Sequence, residues 1–363
     1  MSASIADLIV DVPVPDAPGD LEADRAIVRE SRTTGRRRAI TVSIVLAVVG
    51  FVAFVVSISV GDFPIPLGDV LPAVFGFGGA DSDFIVRQLR LPRALTAVLV
   101  GAAFGLSGAI FQSLARNPLA SPDIIGITAG ASASAVFIIV VIGGSGYAVS
   151  VGALIGALLT ATVIYLLAYR RGVSSYRLIL VGIGISAMLS AVTSYLLTRA
   201  EIYDAQRATV WLTGSLNGRG WDQVRPVAAA MVLLVPAVLF LTRPLRTMQL
   251  GDDTAKGLGV PVERTRAALV LVGVALAAVA TAAAGPVAFV AFVAAPIARR
   301  LVNAPLTIVP AALAGAVLLL VSDLVARRIF APTELPVGVV TGIIGAPYLI
   351  WLLARANRIG RGG

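Results

Sequence analysis

"ALTAVLVGAAFGLSGAIF", Ala94 to Phe111, runs for eighteen residues without one charged side chain. A hydrocarbon layer about 30 Å thick takes roughly 17 to 25 helical residues per crossing, so the stretch reads as a membrane helix. Gly101 and Gly105 lie four apart, as do Gly152 and Gly156 further on, so each pair shares one helix face. Small residues at that spacing let helix backbones approach closely. Directly before the stretch stands "VRQLRLPR", Val86 to Arg93, with arginines at 87, 90 and 93.

The whole chain matches this reading. Its 363 residues are 58% hydrophobic and 13% charged, with a mean hydropathy of +0.92, against about 25% charged in a soluble domain. Aromatic residues are 6% while glycines number 36, which suits a polytopic bundle of closely packed helices. The chain contains no cysteine and no histidine, which excludes thiol chemistry, disulfides and histidine-based metal or proton relays. The net charge of +9 is read by membrane side and not as a nucleic-acid footprint.

With that stretch included, eight apolar runs are clear: Ala39 to Val60, Ala94 to Phe111, Tyr147 to Tyr169, Leu178 to Thr198, Val227 to Thr242, Ala267 to Ala284, Ala304 to Ser322 and Leu335 to Ala354. Ile127 to Ile142 and the shorter Gly285 to Ala298 are two more candidates. With ten crossings and a cytoplasmic N-terminus, 20 of the 29 Lys and Arg residues fall inside; removing the crossing at Gly285 to Ala298 lowers that to 17. The positive-inside rule therefore favours an all-α fold of about ten transmembrane helices with both termini in the cytoplasm. Residues 1–38 read as a disordered cytoplasmic tail, 39–355 as the membrane domain and 356–363 as a short cytoplasmic tail. Arg87, Arg90 and Arg93 then lie outside, where the rule least expects positive charge.

No G-x-x-x-x-G-K-[ST] loop is present, so the chain has no phosphate cradle of that kind. No predicted span has an acidic residue in its interior, as a proton- or sodium-coupled carrier ordinarily would. The energy for transport is then expected from elsewhere. The longest inner loop, Thr242 to Arg266, contains "LGDDTAKGLG", Leu250 to Gly259. Asp252 and Asp253 suit a helix N-terminus and Gly257 or Gly259 a stop, so the loop reads either as a short docking helix or as an ordinary turn. In "QSLARNPLASPDIIGITAG", Gln112 to Gly130, Pro118 and Pro122 break the helix. Irregular backbone at membrane depth must be buried in protein or line a cavity.

These motifs, together with "WLTGSL" (Trp211 to Leu216), "GPVAFVAF" (Gly285 to Phe292) and the run from Ser322 to Leu353, resemble the permease subunits of bacterial type II ABC importers for ferric siderophores, haem and cobalamin. The resemblance covers about residues 45 to 355. It implies ten helices and a pore made with a second permease, identical or a sister chain. It also implies two ABC ATPase subunits on the inner face and a soluble substrate-binding protein outside. ATP would be bound by those partners, with no cofactor or metal held by this chain, no enzyme activity of its own and no nucleic acid. The location would be the bacterial cytoplasmic membrane.

By resemblance, Leu250, Gly251, Asp252, Ala255, Leu258 and Gly259 form the ATPase-coupling segment, near residues 246–262. Arg90, Arg93 and Arg327 would meet glutamates of the binding protein, with anchoring at lipid headgroups the alternative for Arg87 and Arg328. Ala97, Gly101, Gly105 and Gly108 are candidates for lining the pathway, with helix packing the alternative. The expected cargo is a ferric siderophore. Haem or cobalamin import, and an ATP-independent channel or secondary carrier, are the other readings. Relatives often have Pro-His where this chain has Ala295 and Pro296.

Overall fold

The computed structural model describes residues 18–77, 79–169 and 175–359. Its elements in chain order are α1 (Pro18–Ser59), α2 (Leu67–Phe75), α3 (Ala80–Phe84), a π-helical turn (Ile85–Arg90), α4 (Leu91–Ala115), α5 (Ile127–Val140), α6 (Tyr147–Ala168) and α7 (Ser175–Arg199). There follow α8 (Ile202–Leu212), α9 (Trp221–Met248), α10 (Asp252–Gly257), α11 (Val262–Ala284), α12 (Val290–Val302), α13 (Ile308–Arg328) and α14 (Val337–Ile359). Seven segments are long and apolar enough to cross a membrane, centred on α1, α4, α6, α7, α9, α11 and α13. The shorter apolar helices α5 and α14 are further candidates.

Two expected boundaries move. The segment 18–38, read as disordered, continues α1 as helix, and α14 extends to Ile359; residues 1–17 and 360–363 lie outside the described residues. The weak span at Gly285 to Ala298 is realised as an irregular stretch, 285–289, followed by the 13 residues of α12. Thirteen residues reach only about 20 Å, too short by themselves for a full crossing.

Small residues decide which helix is central. α4 is enclosed by α13, α11, α12 and α9; 78% of its most apolar window is buried, against 0% for α1. A Cβ on Gly101 or Gly105 would run into the backbone oxygens of Gly315 or Ala311 on α13, and one on Gly108 into that of Ala291 on α12. The pairing of 101 with 315 and 105 with 311 makes α4 and α13 antiparallel. α5 and α6 repeat the arrangement, with Gly130 against Gly156 and Thr160. Lipid tails are as apolar as leucine, so burying leucine yields little, and close approach of backbones supplies the attraction instead. Many large apolar side chains stay outside, Val48, Phe51, Leu180, Met188, Leu233 and Phe240 among them, while others such as Phe104, Ile110 and Leu319 are buried between the helices.

Ala97, Gly101, Gly105 and Gly108 are buried within these contacts. All four take part in packing within the chain.

Polar contacts tie the bundle internally. Ser107 Oγ donates to Gly273 O of α11 at 2.7 Å, and Gln112 Nε2 to Phe292 O of α12 at 2.9 Å. At one end, three loops are stitched together by Ser215 N to Ala284 O (2.8 Å) and Gly338 N to Gly214 O (3.1 Å). Gly214, at φ 71°, packs on the Pro286 carbonyl, which leaves no room for a side chain.

A leucine at Gly105 should force α4 and α13 apart and lower stability by at least about 1–3 kcal/mol. Gly68, with nothing within 4 Å of an added Cβ, should accept alanine without change; thermal melting of the purified chain in detergent compares the two.

Candidate functional site

The bundle carries distinctive polar structure at both ends. At the end where α4 finishes, the 249–261 loop forms a braced knob. Gln249 Nε2 donates to Ser113 O at 2.9 Å, and Arg116 Nη2 to Met248 O at 2.8 Å. Asp252 Oδ1 accepts from Arg116 at 3.0 Å while its Oδ2 accepts from Arg266 Nη2 at 2.6 Å. One carboxylate thus joins the ends of α4, α10 and α11. Partial burial by itself would raise the Asp252 carboxyl, but the hydrogen bond and charge of Arg266, with Arg116 and Lys256, outweigh it and hold the group below its usual range.

Ala255 is fully buried under α10, so the helix is seated as well as braced. Gly251 (φ 111°) and Gly259 (φ 81°) turn the chain at either side in backbone conformations that a side chain would strain. Gly259 N donates to Lys256 O at 2.9 Å and Val260 N to Ala255 O at 2.9 Å, closing the helix end. The result leaves Leu250 and Leu258 projecting, 66% and 64% exposed. Of the two readings of "LGDDTAKGLG", the structure has the short helix. The bracing by Arg116 and Arg266 was not foreseen, because nothing local in the sequence couples residues 116, 252 and 266.

The loop between α4 and α5, residues 116–126, lies at the same end. Its Ser121, Pro122, Ile125 and Gly126 are buried in protein, which is how irregular backbone is tolerated at this depth. Asp123 accepts from Thr128 Oγ1 at 3.0 Å. Burial pushes its carboxyl up to about 6, the hydrogen bond only partly opposing the shift.

At the opposite end, the three arginines singled out in the sequence are brought together by α1, α4 and α13, and all are occupied within the chain. Asp323, on α13, is fully buried, one residue past the predicted span that ended at Ser322. Arg93 grips it through Nη2 at 2.9 Å and Nε at 3.2 Å, and reaches Glu334 Oε2 through Nη1 at 2.9 Å. Arg327 Nε lies 3.2 Å from Asp323 Oδ2, and its Nη2 donates to Ser57 Oγ at 2.6 Å. Arg90 caps the end of α1 through Ile58 O (2.8 Å), Ser59 O (3.1 Å) and Phe63 O (2.6 Å). The side chains left more open to solvent are Arg87 and Arg328, the latter 3.8 Å from Asp62. Sequence reasoning missed Asp323 and Glu334 because an acid just beyond a hydropathy boundary looks like the start of a loop.

No group of three or more potential metal-ligating side chains occurs among the described residues. The molecule is therefore a polytopic helical membrane protein with a rigid apolar knob at one end and an arginine–carboxylate cluster at the other, the class of a transport permease.

The comparisons place it more narrowly. The FecCD transport family matches residues 35–355. The ferric enterobactin transport system permease protein FepG of Escherichia coli is 43% identical over 323 residues, covering 89% of this chain and 98% of that one. The iron(3+)-hydroxamate import system permease protein FhuG of Bacillus subtilis is 40% identical, covering 84% and 94%. Among solved structures, a metal-chelate type ABC transporter in an inward-facing conformation is similar with a TM-score of 0.76 at 28% identity, covering 87% and 99%. The chain belongs to the FecCD transport family, and it is a multi-pass transport permease of the ABC type.

Two outcomes are expected. Arg93→Ala leaves Asp323 without its main partner and should destabilise the chain by about 3–5 kcal/mol, with the Arg93→Ala/Asp323→Ala double variant less affected than the single one. Asp123 holds its proton more tightly folded than unfolded, so its contribution to stability is full below the unfolded value near 4 and is lost as pH rises through about 6. Asp123→Asn should therefore raise the melting temperature at pH 7 and leave it unchanged at about pH 4.

Proposed function

We propose that this chain forms half of the membrane pathway of an ATP-driven importer for ferric siderophores, with the 249–261 knob in the cytoplasm and the Arg93 cluster facing outward in the bacterial cytoplasmic membrane. The observation that carries the reading is the knob. Two exposed leucines flank a short helix fixed by Asp252, Arg116 and Arg266 and by the buried Ala255. Such an element transmits force without bending, and two apolar side chains on a polar background suit clefts on two partner ATPases, one beneath each permease. The basic residues around it, Arg243, Arg246, Arg264 and Arg266, support the cytoplasmic assignment.

The second permease, identical or a sister chain, completes the pathway. Its contact surface is supplied by exposed apolar faces that small-residue packing leaves outside the protomer, such as that of α7 with Ile183, Met188 and Val192. At the outer end, the binding protein lands through carboxylates on the positive field of Arg90, Arg93 and Arg327. Their internal partners hold these side chains in place, so Arg87 and Arg328 take the first contacts. Exposed pairs of this kind are each worth about 0.2–1 kcal/mol, and they set orientation and approach rate more than holding strength. That suits a receptor that must leave. The siderophore cargo is supported by the relatives, whose names specify ferric enterobactin and iron(3+)-hydroxamate.

The test is reconstitution of the permease with its ATPase and binding protein and measurement of radioactive iron uptake from ferric siderophores. Uptake should require all three components. Leu250→Glu with Leu258→Glu should abolish ATPase co-purification and uptake while the permease still inserts and folds. Uptake that persists without an ATPase, or a double variant that still retains the ATPase, would overturn the reading.

A further inference from the structure

Beside the Arg93 cluster, a cavity of about 740 Å³ opens between α5, α6, α8, the 215–219 loop and the α13–α14 connection. The volume falls within the range of about 300–1,000 Å³ typical of small-ligand sites. Its polar lining includes Gln206, Arg207, Asn217, Arg219 and Glu334, and Trp211 supplies an aromatic wall.

The charges in this cavity are unequally satisfied. Glu334 is taken by Arg93 at 2.9 Å. Arg207 is taken by Asp204 at 3.0 Å and by Gly144 O at 3.1 Å. Arg219 donates from Nε to Ser215 O at 3.2 Å, and among the described residues no carboxylate forms an ion pair with it. Burial lowers its guanidinium from the usual arginine range, and no neighbouring acid opposes the effect. An arginine nevertheless stays charged at neutral pH. Arg219 is part-buried at the edge of this open cavity, and the loop that carries it is held in place by Ser215 N to Ala284 O and Gly338 N to Gly214 O. A rigid cavity with one uncompensated guanidinium is therefore complementary to an anion.

We propose that this cavity is a binding site for ferric chelates of net negative charge, those whose iron is wrapped by catecholate or carboxylate oxygens, with Arg219 as the group that selects charge. The planar fork of Arg219 matches such oxygens. Trp211 offers a face to catechol rings. Gln206 and Asn217 offer amide groups to the ligand's amides. Neutral chelates of the same size gain nothing from the Arg219 charge and leave it without a carboxylate or catecholate partner. The proposal rests on the reading of the chain as an importer of ferric chelates, and it deepens that reading by naming the substrate's charge.

The test uses the full chain in lipid nanodiscs with Trp221 and Trp351 replaced by Phe, so that Trp211 is the fluorophore. A trianionic ferric tris-catecholate should quench it saturably, and a neutral ferric tris-hydroxamate should bind about tenfold or more weakly. Arg219→Gln should weaken tris-catecholate binding by about tenfold or more, as expected for loss of a charged hydrogen bond. It should leave the neutral chelate unaffected, and Arg219→Lys should retain most of the preference. Equal affinity for the two chelates, or binding indifferent to Arg219→Gln, would overturn the proposal. So would an Arg219→Gln variant that loses affinity for the binding protein while its chelate binding is intact, since Arg219 would then be a docking residue. Charge-selective, Arg219-dependent binding without ATP-dependent uptake would support the site and defeat the importer reading, which separates the two failures.

Discussion

The structure depends on close contact between backbones across α4 and α13. Lipid offers no hydrophobic reward for helices to associate and no hydrogen bonds for polar groups, so attraction must come from dense packing and internal pairing. Gly101 and Gly105 opposite Gly315 and Ala311 provide the first. Ser107 and Gln112, bonded to carbonyls of α11 and α12, provide the second. With α4 fixed as an axis, α9, α11 and α12 take their places around it. Many larger aliphatic side chains face outward as well, as a lipid surrounding permits.

The same axis places the two polar ends. α4 begins at the arginines that hold Asp323 and finishes at Arg116, which holds Asp252. A rigid rod therefore connects the cluster at one end to the knob at the other. Buried ion pairs are weak contributors to net stability, because desolvation offsets their attraction, but breaking one is severe. The Arg93–Asp323–Arg327 group thus acts chiefly to fix how α1, α4 and α13 meet. Fixed geometry along α4 keeps the two polar ends of the chain in a constant relation to each other.

Much of this was legible beforehand. Uncharged runs of crossing length marked the long membrane helices. The motif "LGDDTAKGLG" allowed a short helix or an ordinary turn, and its paired aspartates and following glycines suit the helix that forms. Less was legible for the arginines: "VRQLRLPR" showed a concentration of charge but not that Arg90 caps α1 or that Arg93 is bound to residues 230 and 241 positions away. The glycines of α4 were visible as a pattern, but whether that pattern lines a path or packs a helix depends on what stands opposite.

Local sequence determined what could enter the membrane, where the chain must turn, and which segments carry net charge, because hydropathy, glycine conformations and charge are properties of short stretches. Tertiary structure alone decided which charges are satisfied. Asp252 braces a knob, Asp323 disappears into the core, and Arg219 forms no ion pair with a carboxylate among the described residues, because compensation of a charge depends on distances of a few ångströms between residues far apart in the chain, and no local pattern encodes those distances.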